Sequence, residues 1–314
     1  MEQGGLRDYP TVPWLIAECQ VFARLSPVRR LIVNADDFGL TAGVNRAIIE
    51  GCTKGIVTSA TIMANGAAFS GAADAIKNLP RLGTGCHVVL IDGIAVAPGI
   101  PTLTKSMGRF RGSMKDFARA AWRGKISPSD VQREARAQIR KIQSSGIALT
   151  HVDSHKHTHL FPHILRPVLR AAKACGIRAV RNPFEPLRSW PARLVATPAL
   201  WARSLVVAAF QRFAKDFREA IREEGMLTTD GTVGIAATGL LDQRMLLAIL
   251  HTLPEGTWEL VCHPGYPDSD LAATGTRLIQ SRQVELTALT SKETQQMLRS
   301  RGIELISYAD LAYS

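Results

Sequence analysis

Short apolar runs recur along the chain, each closed by polar residues and followed by a stretch with helical spacing, and this alternation restricts the fold more than any other feature. Apolar runs place strands at about 31–35, 58–64, 83–91, 149–153, 178–181, 232–237, 258–262 and 304–307. Helical periodicity fills most of the gaps, at about 43–54, 130–143, 162–174, 243–251 and 290–300. Eight β/α alternations of buried-type strands predict an α/β fold, a distorted (β/α) TIM-like barrel rather than an open sheet. At 314 residues the chain exceeds the roughly 250 of one such barrel, so a single domain with insertions is the economical organisation.

That domain is expected over 29–314, after an N-terminal extension at 1–28, with insertions at about 92–129 and 186–224. Pro98, Pro101, Gly108 and Gly112 mark the first insertion as a loop over the barrel mouth, a lid or substrate wall that ends in the basic run Trp122-Arg123-Gly124-Lys125. The second carries Trp190, Trp201, Phe210, Phe213 and Phe217, with seven Lys/Arg against four Asp/Glu. Its last three aromatics recur at helical spacing, which reads first as a helix packed on the barrel. A basic amphipathic helix in contact with membrane or lipid is the sharper alternative.

A hydrophobic content of 46% with 21% charged residues is that of a soluble globular enzyme and argues against disorder. The excess of 38 Lys+Arg over 27 Asp+Glu, a formal +11, favours an anionic partner: a phosphorylated substrate, a membrane surface or nucleic acid. A nucleic-acid binder should show a clustered basic run or an aromatic-interleaved RNA motif, and the sequence has neither. Five cysteines, odd in number and without C-x-x-C pairing, fit a reducing cytosol. With no leader-like start and no apolar run of about 18 residues, a cytoplasmic protein is expected, with peripheral inner-membrane contact left open through the 186–224 insertion. A homo-oligomer is left open as well.

The chemistry-bearing residues fall at strand ends. In the nine residues His151 to His159, four imidazoles and Asp153 occupy alternate positions, and period-two alternation puts His151, Asp153 and His155 on one face. Imidazole nitrogen with carboxylate oxygen suits a divalent transition metal and leaves magnesium or manganese open. Asp36-Asp37 after the first strand offers one carboxylate as ligand and one as proton acceptor, although an Asp-Asp pair alone is more often turn chemistry or a helix cap. His87, inside an apolar strand, completes a set of two imidazoles and one carboxylate, which leaves positions for water and substrate. His263, before Pro264-Gly265, suits a general acid; Arg181 suits an orienter of Asp36 or a holder of a developing oxyanion.

These motifs together resemble the YdjC-like carbohydrate deacetylases, the family of the chitooligosaccharide deacetylase ChbG and the hopanoid-biosynthesis-associated HpnK, over about residues 31–310. The resemblance rests on Leu31 to Gly39 (LIVNADDFG), Gly51 to Asn65 with Gly-Ile-Val-Thr-Ser at its centre, Gly85-Cys-His87, His151 to His157 and Cys262-His-Pro-Gly265. It implies a distorted (β/α) barrel that removes an N-linked acetyl group from an amino sugar with a divalent metal, often magnesium, with zinc or manganese as alternatives. By that resemblance Asp37, His87 and His155 hold the metal and Asp36 is the base. The second insertion and Arg178-Ala-Val-Arg181-Asn182-Pro183 look closer to the HpnK branch, which shifts the expected substrate from chitobiose-type sugars toward a glycolipid. The nearest rival is another metal-dependent barrel hydrolase, of amidohydrolase or phosphoesterase type. An amidohydrolase carries its His-x-His pair on the first strand, where this chain has Asp36-Asp37.

Overall fold

The computed structural model describes residues 28–186 and 198–313. All but the last residue of the expected N-terminal extension, together with Trp190, therefore lie outside the described residues. Eight strands form one parallel sheet: β1 (Arg29–Phe38), β2 (Ser59–Ile62), β3 (Gly83–Val88), β4 (His151–Ser154), β5 (Ala179–Val180), β6 (Gly231–Val233), β7 (Gly256–Cys262) and β8 (Ile303–Leu305). Around it lie α1 (Ala42–Lys54), α2 (Phe69–Ile76), α3 (Met114–Trp122), α4 (Pro128–Gln143), α5 (Pro162–Ala174), α6 (Pro198–Phe210), α7 (Ala214–Glu224), α8 (Gln243–His251), α9 (Ser269–Ala273), α10 (Gln280–Thr290) and α11 (Lys292–Ser300).

Strand β1 is the spine, with every residue from Leu31 to Phe38 buried, as expected of a parallel strand covered on both faces. Local chemistry sets the ends of its neighbours. The Thr41 hydroxyl accepts the Val44 N–H at 3.2 Å and starts α1, while Pro128 and Pro162 open α4 and α5 at the position where a missing N–H costs nothing.

The strand order β5-β4-β3-β2-β1-β7-β6 gives the parallel α/β sheet expected of a distorted barrel, with its closure incomplete. In a closed barrel the last strand separates the first from the seventh, but here β1 pairs directly with β7 along Arg29–Ala35. The short β8 pairs only with Arg29–Leu31, on the edge of β1 that β2 occupies farther along. The outer edges are joined by chain rather than by a strand ladder: Val180 N–H donates to Leu227 O, Asn182 to Thr229 O and Thr232 N–H to Phe184 O. A parallel sheet curved toward closure and wrapped by helices results.

The first insertion, expected as a loop, includes α3 and two antiparallel bridges, Ile94 with Arg109 and Thr104 with Phe110. In the second, Phe217 is 2% exposed and packs at 5.4 Å from Phe184, whereas Trp201 is 54% exposed, so only part of its aromatic content is core. The helix expected at 290–300 is α11, and α10, just before it, ends at Thr290.

Candidate metal and catalytic site

Between Ala35 and Phe38 the register of β1 against β2 shifts, and Asp37 takes φ 68, a left-handed conformation that costs a non-glycine residue strain. This bulge lets two consecutive carboxylates reach the same interior. Asp36 turns to Arg181, and Asp37 turns to His87 and His155.

Asp37 Oδ1, His87 Nε2 and His155 Nδ1 lie 3.2 to 3.5 Å from one another. Ligands bound about 2.1 Å from one ion have such separations. Asp37 Oδ1 is buried without a hydrogen-bond partner, while Asp37 Oδ2 accepts from Arg282 Nη2 at 2.5 Å. One carboxylate oxygen is thus occupied and the other is left facing two imidazole nitrogens. The three donor groups fit a divalent cation, which would take the place of the protons on the two imidazoles: one anionic oxygen, two imidazole nitrogens and, among the described residues, no fourth group in the set.

The imidazoles are oriented from behind. His87 Nδ1 lies 2.7 Å from Asp153 Oδ1, so its N–H donates there and its Nε2 is the nitrogen that faces Asp37. Thr61 donates to Asp153 Oδ2 at 3.0 Å and fixes that carboxylate in turn. His155 Nε2 lies 3.7 Å from Asp92 Oδ2, and Lys156 pairs with the same oxygen at 2.5 Å, tying the start of the first insertion to the site. Burial pushes His155 down, but Asp37 and Asp92 outweigh it and push its pKa up to about 9. Burial likewise opposes a proton on His87, and Asp153 and Asp36 reverse that, raising it above the usual histidine value.

Asp36 is gripped by Arg181, with Nη1 on Oδ2 at 2.8 Å and Nη2 on Oδ1 at 2.6 Å. Burial would raise its pKa, yet the guanidinium holds it well below the usual carboxylate range. Arg181, fully buried, also meets Glu259 Oε1 at 2.6 Å and Asp153 Oδ2 at 2.7 Å. Its donors thus meet three carboxylates, those of Asp36, Asp153 and Glu259. His263 Nε2 stands 3.8 Å from Asp36 Oδ2, and burial pushes its pKa down to about 4, leaving a neutral imidazole. The backbone N–H of His263 donates to Glu285 Oε2 at 2.6 Å.

The alternation read through His159 stops at Ser154, which corrects the single-face reading. Residues His155–Leu160 form a 3-10 turn with Lys156 and His157 in the left-handed region. His151 is a supporting residue: its ring stacks on Tyr308 at 3.8 Å and its Nε2 meets Asn34 Oδ1 at 3.1 Å. Gly85 makes room for it, since a Cβ there would sit 2.5 Å from the ring. His159 Nδ1 bonds Ser154 Oγ at 2.5 Å, and His157 Nδ1 and His159 Nε2 are buried without partners.

Sequence reading missed Asp153 as the partner of His87, and it missed Asp92, Arg282 and Glu285. Asp153 carried a signal, its place in the histidine run. Arg282 and Glu285 sit on α10, a helix the periodicity did not show.

The family model described as YdjC-like protein matches residues 30–300. A carbohydrate deacetylase of Brevibacillus brevis is 32% identical over 283 residues, covering 90% of this chain and 99% of that protein. A chitooligosaccharide deacetylase of an Enterobacter species is 32% identical, with 90% of this chain and 98% of that protein covered. A crystal structure from Enterococcus faecalis, provisionally described as a cellobiose-phosphate cleavage protein, superposes with a TM-score of 0.69 at 26% identity, covering 90% of this chain and 99% of that one. By the extent of the family match and the identity to these full-length relatives, the chain belongs to the YdjC-like protein family.

Proposed function

We propose that the protein is a metal-dependent carbohydrate deacetylase that hydrolyses the N-acetyl group of an amino sugar, with Asp37, His87 and His155 as metal ligands. The observation that carries this reading is the convergence of those three donors beside the Asp36–Arg181 pair and His263. The names of the relatives, carbohydrate deacetylase and chitooligosaccharide deacetylase, support the same substrate class.

A divalent ion held by the three ligands would acidify a water molecule and polarise the acetyl carbonyl. The protein's own residues then manage the protons. Asp36, kept ionised by Arg181, accepts a proton from the attacking water as its oxygen adds to the carbonyl carbon. The neutral His263 imidazole, 3.8 Å from Asp36, is the nearby acceptor for that proton. His263 passes the proton to the sugar nitrogen as the carbon–nitrogen bond breaks, giving acetate and a free amine. Arg181 fixes the Asp36 carboxylate throughout. The first insertion, anchored by Asp92 to Lys156, serves as a wall of the substrate site.

Within the family, residues 186–224 and the segment from Arg178 to Pro183 support a place near the hopanoid-biosynthesis-associated branch. Magnesium is the ion this family relation favours, and the donor set admits zinc or manganese. Acetate release from a panel of N-acetylated monosaccharides, chitooligosaccharides, nucleotide sugars and glycolipids tests the proposal. Release from at least one class is expected; release from none, by protein shown to hold metal, would defeat it.

A further inference from the structure

Helix α6 carries a single charged residue, Arg203, in the run Pro-Ala-Leu-Trp-Ala-Arg-Ser-Leu-Val-Val-Ala-Ala-Phe. Much of its apolar surface faces outward: Trp201, Leu205 and Val206 are 54%, 70% and 56% exposed. Residues 201, 205 and 209 fall one helical turn apart and are all exposed, so the apolar surface is a stripe rather than scattered side chains. Trp122, 68% exposed at the end of α3, borders the same region through Arg212, whose guanidinium lies 5.4 Å from the Trp122 ring and 4.7 Å from that of Phe213.

Position ties this surface to the catalytic rim. Arg203 Nη1 donates to Thr238 O at 2.6 Å, on the chain that leaves the carboxyl end of β6. The Phe210 ring meets Phe161 at 6.5 Å, immediately after the turn that carries His155. The charge around it is basic on balance: Arg123, Lys125, Arg212 and Lys215 are exposed, against Asp216 and the Glu219 that pairs with Lys215.

We propose that α6 and the tip of α3 dock the protein peripherally on an anionic bilayer surface, with the apolar side chains in the interfacial layer and the basic residues against lipid headgroups. Aromatic and aliphatic side chains flanked by Lys and Arg are the combination such an interface takes. Pairing two copies through this face would bring like charges together, whereas an anionic surface attracts them. None of the described helices is long and apolar enough to cross a membrane, so the contact is on the surface. Docking would hold the rim against amphiphilic N-acetylated sugars in the bilayer; that consequence rests on the deacetylase reading, while the docking does not.

Co-sedimentation of the full chain with phosphatidylcholine vesicles, with and without phosphatidylglycerol, tests it. Binding is expected only with phosphatidylglycerol and is expected to fall as salt rises. Replacing Arg123 and Lys125 by Ser should lower partitioning by about fivefold per residue. The double variant Leu205→Ser, Val206→Ser should lose most of the binding while keeping the parent's unfolding temperature and its activity on a water-soluble N-acetyl sugar. Absence of parent binding at low salt, or equal binding by these variants, would overturn the proposal. A dimer that the double variant dissociates, without vesicle binding, would overturn it in favour of a second copy. Vesicle binding is read without turnover, so it holds or fails separately from the deacetylase assignment.

Discussion

One bulge turns two neighbouring aspartates to different partners, and substitution separates the roles proposed for them. Asp37→Ala removes the anionic ligand, so metal affinity falls and excess metal restores part of the activity. Asp36→Asn leaves the ligands in place; metal content stays at the parent level while the rate falls by about 10² to 10⁴, the usual contribution of a positioned base. Metal calorimetry beside turnover measures both, and an empty site in Asp36→Asn with a loaded, slow Asp37→Asn would exchange the roles. Asp153 faces His87, and Asp153→Asn is expected to weaken metal binding by about 10 to 100-fold, measured below the variant's unfolding temperature because it also removes a buried partner of Arg181. Equal metal affinity in parent and variant would remove Asp153 from the site. At this scale the sequence was informative where chemistry and strand position coincided, as at Asp36, Asp37, His87, His155 and His263. It could not show that Arg181, just after β5, is surrounded by Asp36, Asp153 and Glu259, because those three come from three other strands far apart in the chain.

Among the elements, the seam between the two sheet edges has a titratable clamp. Glu185, after β5, accepts the N–H groups of Gly234 at 2.8 Å and Ala236 at 3.1 Å in the loop after β6. Burial outweighs those bonds and pushes its pKa up to about 7. The folded state therefore holds this proton more tightly than the unfolded chain, so stability from this group is full below the unfolded value near pH 4.5 and declines as pH rises to about 7, by roughly 3 kcal/mol at most. Glu185→Gln is expected to flatten that decline in denaturant titrations between those limits; an unchanged slope would show that other groups cause it. Strand and helix identities were legible from periodicity for most of the chain. Barrel closure was not, because β8 is three residues long and its pairing with the start of β1 is set by tertiary packing rather than by its own pattern. Helix α10 was missed for a related reason: it buries Arg282 and Glu285 beside Leu286 and Leu289, and polar residues on the buried face hide a helical stripe.

For the molecule as a whole, a buried cluster rich in carboxylates and crossed by strands β1, β3 and β4 should be more stable with a divalent ion in it. Metal at about 100 times its dissociation constant contributes roughly 2.7 kcal/mol, so a chelator should lower the unfolding temperature by several degrees and added metal should restore it. No such shift, with metal bound, would mean that the unfolded chain holds the ion as tightly, against a site assembled by the fold. The net charge of +11 was legible at once but did not choose a partner; the exposed face of α6 supplies the location that charge alone lacks. The central claim is that chemistry at this site needs one ion held by Asp37, His87 and His155. The most direct measurement is acetate release from an accepted N-acetylated sugar by metal-stripped protein as a divalent ion is titrated back. No release without metal is predicted, with recovery that saturates at about one ion per chain in the parent and is absent in His87→Ala and His155→Ala at the same metal concentration. Release by the stripped protein at the parent rate, or full recovery in both histidine variants, would contradict it.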